Sequence, residues 1–255
     1  RRNSEPVIIR NWTGMMERQE TALIVGAGPG LGAALARRFA RASMNVAIAA
    51  RNISPLQTLA SDIGGGVRGF ACDATDEGAV TQLFDRVTNE CGAPNVIVFN
   101  AGAFVHKGLL ETGADEFERC WKISCFGGFL VGREAVRRML AGKSDRAHRG
   151  TVLLTGATAS RRGGAAFHNL AVGKFGLRAL AQSMAREFQP QGIHVAHVVI
   201  DGQIASDRPG RRAAERGADA VLDPDAIAET YYQLHRQPSS AWTLELDLRP
   251  RLEKF

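Results

Sequence analysis

Short apolar runs alternate with longer amphipathic segments along most of this chain, and this alternation constrains the fold more than any other feature. The apolar runs cover residues 21–27, 45–50, 67–71, 95–100, 151–156, 193–200 and 241–248. The amphipathic segments cover residues 30–41, 54–62, 76–91, 115–140, 165–188 and 224–236. Strands that are apolar throughout are buried on both faces, as parallel strands between helices must be. The pattern predicts an α/β protein with a doubly wound, seven-stranded parallel sheet.

The domain organisation follows from where this alternation begins and ends. A chain of 255 residues fits one large α/β domain. Residues 1–19 lack periodicity and do not begin with methionine, so we expect a disordered or artificially added segment, with the native start at Met15 or Met16. Residues 20–255 are expected to form a single domain, in which the Gly/Arg-rich stretch 201–224 is a long loop.

Composition and charge argue against several classes of protein. Hydrophobic residues make up 45% of the chain and charged residues 23%, which is ordinary for a globular protein. The net charge is +6, and basic residues gather at 133–149, 161–162 and 208–212, with almost no aromatic residues among them. We expect solvated faces there, with a phosphate-bearing ligand as the alternative, and no binding to DNA or RNA.

Membrane and metal binding are not expected either. No apolar run approaches the ~20 residues that span a membrane. The four cysteines are Cys72, Cys91, Cys120 and Cys125. They form no CxxC pair, and reduced thiols in the cytoplasm are the expected state. His194 and His197 would face opposite sides of one strand, and no other metal-like cluster is visible, so no metal site is predicted.

A glycine-rich turn joins the first apolar run to the first amphipathic segment. It reads "GAGPGLG", from Gly26 to Gly32. Glycines give the turn backbone freedom and let a phosphate approach N–H groups where no Cβ intervenes. The start of the following helix adds partial positive charge. Any tight strand-to-helix turn can use glycines, but the position after the first strand favours a dinucleotide site.

At this turn the chain resembles the short-chain dehydrogenase/reductase family, which has Gly-x-x-x-Gly-x-Gly there, here Gly26, Gly30 and Gly32. Asp73 in "CDAT" follows the third strand, and "NAG" at 100–102 follows the fourth, as in the family. The likeness extends over nearly all of the predicted domain. It implies a Rossmann-type fold, a pyridine nucleotide cofactor and an oxidoreductase function.

The resemblance also implies a set of nucleotide-binding residues. They are Gly26, Gly28, Gly30, Leu31, Gly32, Arg51, Asp73, Ala74, Asn100, Ala101, Gly102, Lys174 and Ile204. Ala50 stands where NAD-selective members carry an acid at the end of the second strand, and Arg51 follows it. Because an arginine fork pairs well with a 2′-phosphate, we expect NADP(H) in preference to NAD(H). The alternative is that Arg51 is only a solvated loop residue.

The family's catalytic side chains are a tyrosine, a lysine four residues later, a serine and an asparagine. Lys174 matches the lysine, which in the family also holds the nicotinamide ribose. Leu170 stands at the tyrosine position, Ala157 at the serine position and Ser124 at the asparagine position. The chain's only two tyrosines lie in a different predicted helix. The resemblance therefore implies a divergent member that lacks the usual catalytic tyrosine and serine.

Other side chains are candidates for the missing chemistry. His168 is a candidate acid, although a histidine near a helix start is more often a surface or packing residue. Thr155, two residues before Ala157, is expected to return to the same strand face and to orient the substrate. Asp201 is either a catalytic carboxylate or, more commonly, part of an Asp-Gly turn. The candidate catalytic residues are Lys174, Ser124, Thr155 and His168.

Two functions stay open on this evidence. The first is an NADP(H)-dependent oxidoreductase with weak or non-standard catalysis on a small-molecule substrate, for which an activated alkene or an iminium would demand less acid catalysis. The second is a catalytically inactive NADP(H)-binding scaffold or sensor. In the resembling family, helices equivalent to 115–140 and 165–188 pack across two-fold axes, which implies a homodimer or homotetramer.

Overall fold

A single parallel sheet organises the protein, whose computed structural model describes residues 19–142, 148–207 and 213–253. The strands are β1 (Thr21–Val25), β2 (Asn45–Ala50), β3 (Arg68–Ala71), β4 (Val96–Phe99), β5 (Gly150–Thr155), β6 (Ile193–Ile200) and β7 (Glu245–Leu248). Their order in the sheet is β3-β2-β1-β4-β5-β6-β7, and every pairing is parallel. The predicted doubly wound, seven-stranded, Rossmann-type sheet is confirmed.

Helices connect successive strands and cover both faces of the sheet. Within the described residues they are α1 (Leu31–Arg41), α2 (Ile53–Ile63), α3 (Glu77–Cys91), α4 (Ala114–Trp121), α5 (Gly127–Ala141), α6 (His168–Phe188), α7 (Ala213–Arg216) and α8 (Pro224–His235). Caps fix some of their starts: the Asp76 carboxylate accepts the Ala79 N–H at 2.6 Å before α3. Asp223 caps α8 in the same way, accepting the N–H of Asp225.

The hydrophobic core lies in two layers, one on each face of the sheet. The first lies under α3, α5 and α6 and includes Phe84, Leu130 and Leu177. The second lies under α1, α2 and α8 and includes Phe39 and Tyr231. The strands face both layers, which explains why their sequences are apolar at every position. Burying each such large apolar side chain stabilises the fold by roughly 1.5–3 kcal/mol.

The order of strands in the sheet reverses at β1: β2 and β3 lie on one side of it, and β4 to β7 lie on the other. Residues of β1 pair with β2 on one side and with β4 on the other. Helices therefore leave β1 and β4 toward opposite faces, and a crevice opens at the carboxyl ends of these two strands. In doubly wound sheets this is the place where ligands bind.

Two predicted helices differ from the observed ones. The segment 115–140 is not one regular helix, because a π-helical turn, Lys122–Phe126, separates α4 from α5. The segment 165–188 becomes helical only at His168, because Ala166 adopts the left-handed region with φ of 62° and a regular helix cannot pass through it. Both differences lie next to the candidate site.

Some predictions fall on residues that the structure does not describe. The prediction for residues 1–19 lies outside the described part except at residue 19, and so does the native start at Met15 or Met16. The basic run 208–212 and part of the run 133–149 also lie outside it.

Candidate active site

Gly26 brings the ends of β1 and β4 into contact. Its φ is +90°, and a Cβ at this position would lie 2.3 Å from the backbone nitrogen of Ala101. Asn100 completes the junction, because its Nδ2 donates to the Gly26 carbonyl oxygen at 3.0 Å and its backbone N–H donates to Val25 at 2.7 Å. Only glycine allows this close approach, and the approach forms one wall of the crevice.

The rest of the glycine turn is open to a ligand. A Cβ at Gly28 or Gly30 would meet no atom within 4 Å, whereas one at Gly32 would lie 2.7 Å from Cα of Ala27. The first turn of α1 carries no acidic residue, and no side chain caps its N-terminus. Its N–H groups therefore present partial positive charge to the turn, as a phosphate group requires. Leu31 is buried, so its expected contact with a nucleotide would come from its backbone.

Two cavities adjoin the turn. The larger, about 550 Å³, lies between the turn and α2, with Gly28, Pro29, Arg51 and Asn52 among its walls. The smaller, about 220 Å³, lies at the ends of β1, β3 and β4 and is bounded by Cys72, Asp73, Ala74, Asn100, Gly102 and Ile123. Ala27, Ala50 and Arg51 line both. Together the turn and the two cavities provide the space and the donors that a dinucleotide needs.

Asp73 and Arg51 supply the charges at these cavities. Backbone and side-chain hydrogen bonds from Thr75, at 2.9 and 2.8 Å, lower the pKa of the Asp73 carboxyl below its usual range. Asp73 is therefore an anionic acceptor at neutral pH. Arg51 is exposed at the end of β2 and forms no ion pair with any residue in the described ranges. Its guanidinium is available to a ligand.

Lys174 lies buried beneath the same edge of the sheet. Its Nζ donates to the Thr155 carbonyl oxygen at 2.7 Å, and a Cβ on Gly102 would lie 3.5 Å from it. Burial disfavours the charged form and lowers the pKa of Lys174 to about 8, partly offset by Cys125. The lysine is thus held rigidly beside the smaller cavity.

This burial predicts a pH-dependent stability of the nucleotide-free protein. Between pH 8 and 10.5 the unfolded chain carries a proton on Lys174 that the folded protein does not, so the free energy of unfolding should rise with pH in this window. The total rise should be roughly 3 kcal/mol. Urea unfolding of wild type and Lys174→Met from pH 7.5 to 10 measures it as a difference between the two proteins. Parallel stability curves would contradict the prediction.

The π-helical turn places Ser124 beside Lys174. Ser124 is fully buried, and its Oγ accepts the N–H of Ala103 at 3.2 Å. Gly173 faces it, since a Cβ there would lie 2.7 Å from the Ser124 Cβ. A π-turn rotates the residues that follow it relative to a regular helix, and such turns are frequent at functional sites. The predicted residues Lys174, Ser124 and Gly102 are therefore brought together.

Leu170 and His168 occupy the first turn of α6. Leu170 is half-buried, one helical turn before Lys174. The His168 ring shares a 2.9 Å hydrogen bond with the Thr112 hydroxyl and stacks on Phe117, with ring centroids 6.4 Å apart. His168 is thus engaged with the loop before α4 and with α4 itself, and its role as an acid stays a prediction.

The structure corrects the prediction for Thr155. Its hydroxyl shares a 2.9 Å hydrogen bond with the Tyr231 hydroxyl of α8, on the opposite face of the sheet from α6. Only its carbonyl oxygen contacts Lys174. The expected alternation from Ala157 failed because β5 ends at Thr155 and the next residues form an irregular turn. The Thr155 hydroxyl therefore cannot orient a substrate beside Lys174.

The segment after β6 is tied to neighbouring elements. The Asp201 carboxylate accepts the Thr158 hydroxyl at 2.6 Å and pairs with Arg249 at 3.4 Å, which fits a structural role better than a catalytic one. Ile204 bridges to Leu222 in a parallel arrangement. Its carbonyl oxygen accepts the side-chain amide of Gln203 at 2.8 Å, and its contact with a cofactor stays a prediction.

Sequence reasoning missed several residues of the crevice. Cys72 and Ile123 line the smaller cavity, and Pro29 lines the larger one. Proximity in sequence to Asp73 and to the glycine turn was the available signal for Cys72 and Pro29. Ile123 carried no signal, because its position depends on the π-helical turn.

A family model described as "short chain dehydrogenase" matches residues 20–210. The chain belongs to the short-chain dehydrogenase family. A curated short-chain dehydrogenase/reductase of Armillaria gallica is 33% identical over 180 residues, which is 68% of this chain and 67% of the relative. Glycine betaine reductase ATRR of Emericella nidulans is 29% identical over 246 residues, and the match spans 92% of this chain but 19% of that much longer protein.

Solved structures of short-chain dehydrogenases share this fold. One from Rhodopseudomonas palustris is 39% identical, with a TM-score of 0.76, and the match covers 91% of this chain and 99% of that chain. A metagenomic short-chain oxidoreductase in complex with NADP is 25% identical, with a TM-score of 0.76, covering 92% of this chain and 98% of that chain.

The structure of this short-chain dehydrogenase describes residues 19–142, 148–207 and 213–253. Among them, no helix has both the length and the apolar character needed to cross a membrane. The same residues contain no group of three or more His, Cys, Asp or Glu arranged to hold a metal ion.

Proposed function

We propose that this protein is an NADP(H)-dependent oxidoreductase with an atypical active site. The observation that carries the proposal is a continuous arrangement from the open glycine turn, through the smaller cavity, to the buried Lys174. Gly102 links the two ends, because it lines the cavity and faces the Lys174 ammonium. When bound, the nucleotide supplies or accepts the hydride.

Different residues of the chain would bind different parts of the nucleotide. The N–H groups at Gly28, Gly30 and Leu31 would bind the phosphates at the start of α1. The Asp73 carboxylate would accept from the adenine amino group in the smaller cavity. Lys174 would hold the nicotinamide ribose, since its ammonium has donors beyond the one given to Thr155.

Preference for NADP(H) over NAD(H) rests on Arg51. Its guanidinium stands at the end of β2 and lines both cavities, with Ala50 rather than an acid before it. A guanidinium favours a 2′-phosphate, and the missing acid removes the usual repulsion. The NADP bound in a 25% identical relative supports the same preference.

Replacing Arg51 tests this preference. Arg51→Ala should weaken NADPH binding by roughly 10–100-fold, because a charged hydrogen bond contributes about 1.5–3 kcal/mol. NADH affinity should change by less than about threefold, since NADH has no phosphate at this position. Fluorescence titration measures both dissociation constants. Arg41→Ala, at an exposed arginine at the far end of α1, is the control. Equal losses for NADPH and NADH would refute the role of Arg51.

The catalytic end is atypical because hydrocarbon side chains occupy two family positions. Leu170 stands one helical turn before Lys174, and Ala157 follows β5, and neither can donate a proton. Reduction of a carbonyl or an alkene adds a hydride and a proton, so the proton would come from water or, as a second candidate, from His168, whereas an iminium needs only the hydride. Ser124 would organise such water next to Lys174. An activated alkene or an iminium suits this site better than a simple ketone.

Titration and turnover together test the proposed function. Protein is titrated with NADPH and NADH, and NADPH consumption is then measured with carbonyl, enone and imine acceptors. Tight NADPH binding with consumption of at least one acceptor class supports an enzyme. Tight binding without consumption of any class supports the scaffold alternative, and absence of nucleotide binding refutes both.

We further propose that residues 20–255 act as one cytoplasmic domain that assembles into a homodimer or homotetramer. Exposed apolar side chains on the outer face of α6, Val172 and Phe175, support an interface there. Analytical ultracentrifugation of the protein tests this assembly. A monomer at micromolar concentration would refute it.

A further inference from the structure

Three aromatic rings lie together on two loops, one between β4 and α4 and the other just before α6. Phe104 and Phe167 stack with centroids 4.8 Å apart and an interplanar angle of 21°. The His106 ring meets both at its edges, with centroids 6.0 Å from Phe104 and 5.2 Å from Phe167. We call Phe104, His106 and Phe167 the aromatic platform. It joins segments more than sixty residues apart in the chain.

The platform belongs to neither layer of the hydrophobic core. Phe104 is 41% exposed and Phe167 is 37% exposed. Leaving two large rings in water forgoes the stabilisation that burial would give. The exposed part of the cluster therefore leaves apolar surface that a ligand can cover. Exposed aromatic clusters beside a cleft are typical of surfaces that bind a ligand.

The backbone beneath the rings is held in place. Asn169 Nδ2 donates to the Val105 carbonyl oxygen at 2.7 Å, between the two platform residues of the first loop. The N–H of Ala103, just before Phe104, donates to Ser124 at 3.2 Å. The other loop reaches Phe167 through Ala166, whose φ of 62° lies in the left-handed region that is unfavourable for alanine. A strained backbone conformation persists only where the surrounding structure holds it, and such positions are frequent at functional sites.

Both loops of the platform continue along the chain to residues of the proposed reaction site. Phe104 is two residues after Gly102, which faces the Lys174 ammonium. The Phe167 carbonyl oxygen accepts the N–H of Ala171 at 2.8 Å in the first turn of α6, one residue beyond Leu170. A substrate whose reacting group lies beside Lys174 would therefore have the platform within reach of its remaining part.

We propose that the aromatic platform binds a flat aromatic ring of the substrate, next to the group that is reduced. This inference rests on the proposed oxidoreductase function and names its substrate class. The rings of the platform are already stacked, so a planar ring can extend the stack, and a saturated ring of equal size cannot. The platform thus selects aryl-conjugated carbonyl or alkene acceptors over aliphatic ones.

The test compares matched ligands by binding, which requires no turnover. Methyl phenyl ketone and methyl cyclohexyl ketone are titrated against the NADP⁺-saturated protein, with ligand-observed NMR as the readout. We expect wild type to bind the phenyl ketone about 2–12-fold more tightly, the range for an aromatic pair beyond area burial. Phe104→Leu and Phe167→Leu should reduce this ratio to below about twofold.

A third variant controls for loss of any exposed ring. Phe129→Leu removes an equally exposed phenylalanine on α5 and should leave the phenyl preference unchanged. Equal affinity for the two ketones in wild type, or a preference that survives Phe104→Leu, would overturn the inference. If the phenyl preference is present but no acceptor consumes NADPH, the proposed function fails and the platform stands as a binding site.

Discussion

Replacing Gly26 by alanine should destabilise the fold by roughly 2–5 kcal/mol and abolish nucleotide binding. A φ of +90° is unfavourable for a residue with a Cβ, and the new Cβ would lie 2.3–2.7 Å from backbone atoms of Asn100 and Ala101. Backbone atoms cannot rotate away as side chains do, so β1 and β4 would have to separate. Urea unfolding and NADPH titration measure the two effects.

Gly28→Ala is the matched control for this prediction. The same added methyl group would meet no protein atom within 4 Å, so the free energy of unfolding should change by less than about 0.5 kcal/mol. Its nucleotide affinity should still fall, because the methyl group projects into the open turn. If Gly26→Ala were as stable as Gly28→Ala, the close contact between Gly26 and Ala101 would be wrong.

Placing hydroxyl groups at the two positions that the family resemblance implies should create carbonyl reductase activity. The double variant Leu170→Tyr with Ala157→Ser should raise the rate of NADPH-dependent reduction of simple aldehydes and ketones by roughly 10²–10⁴-fold. Leu170 stands one turn before Lys174, so a tyrosine there would gain a cationic neighbour that favours its ionised form. Initial rates of NADPH consumption measure the gain.

The control for this gain is Leu170→Phe with Ala157→Ser, which adds a ring of similar size without the hydroxyl group. Both variants should bind NADPH as wild type does, which the fluorescence titration checks. A tyrosine variant that binds NADPH but is no faster than the phenylalanine variant would contradict the assignment of position 170 to the proton donor.

The sequence predicted the sheet because a strand buried on both faces has apolar residues at consecutive positions. Every strand position between Ala22 and Val25 faces one core layer or the other, so the run is apolar without interruption. The end of β7 was predicted correctly, but its start was placed four residues too early. The edge strand is only partly buried, and apolar content alone does not mark where pairing begins.

The glycine turn was also predictable, because the backbone at Gly26 adopts a conformation that favours glycine. Side-chain direction at the end of a strand was not predictable. Thr155 was assigned to the wrong face because alternation stops when β5 stops. The spacing of Thr155 and Ala157 in the sequence does not show that the strand ends between them.

Features that depend on packing between distant segments left no sequence signal. The π-helical turn at Lys122–Phe126 inserts into a helix whose apolar pattern looks continuous. The contact between Phe104 and Phe167 joins two loops that each appear unremarkable in sequence. Such contacts form only when the loop after β4 and the loop before α6 have come together in the fold.

The junction between Gly26 and Asn100 has a consequence for biosynthesis. The two residues are 74 positions apart, so the crevice does not exist until β4 has emerged from the ribosome and docked beside β1. Nascent chains that stop before Val96 therefore have the complete glycine turn but lack the second wall. Capture of the proposed nucleotide would therefore follow translation of this half, and a bound nucleotide would stabilise only chains that have joined the two halves.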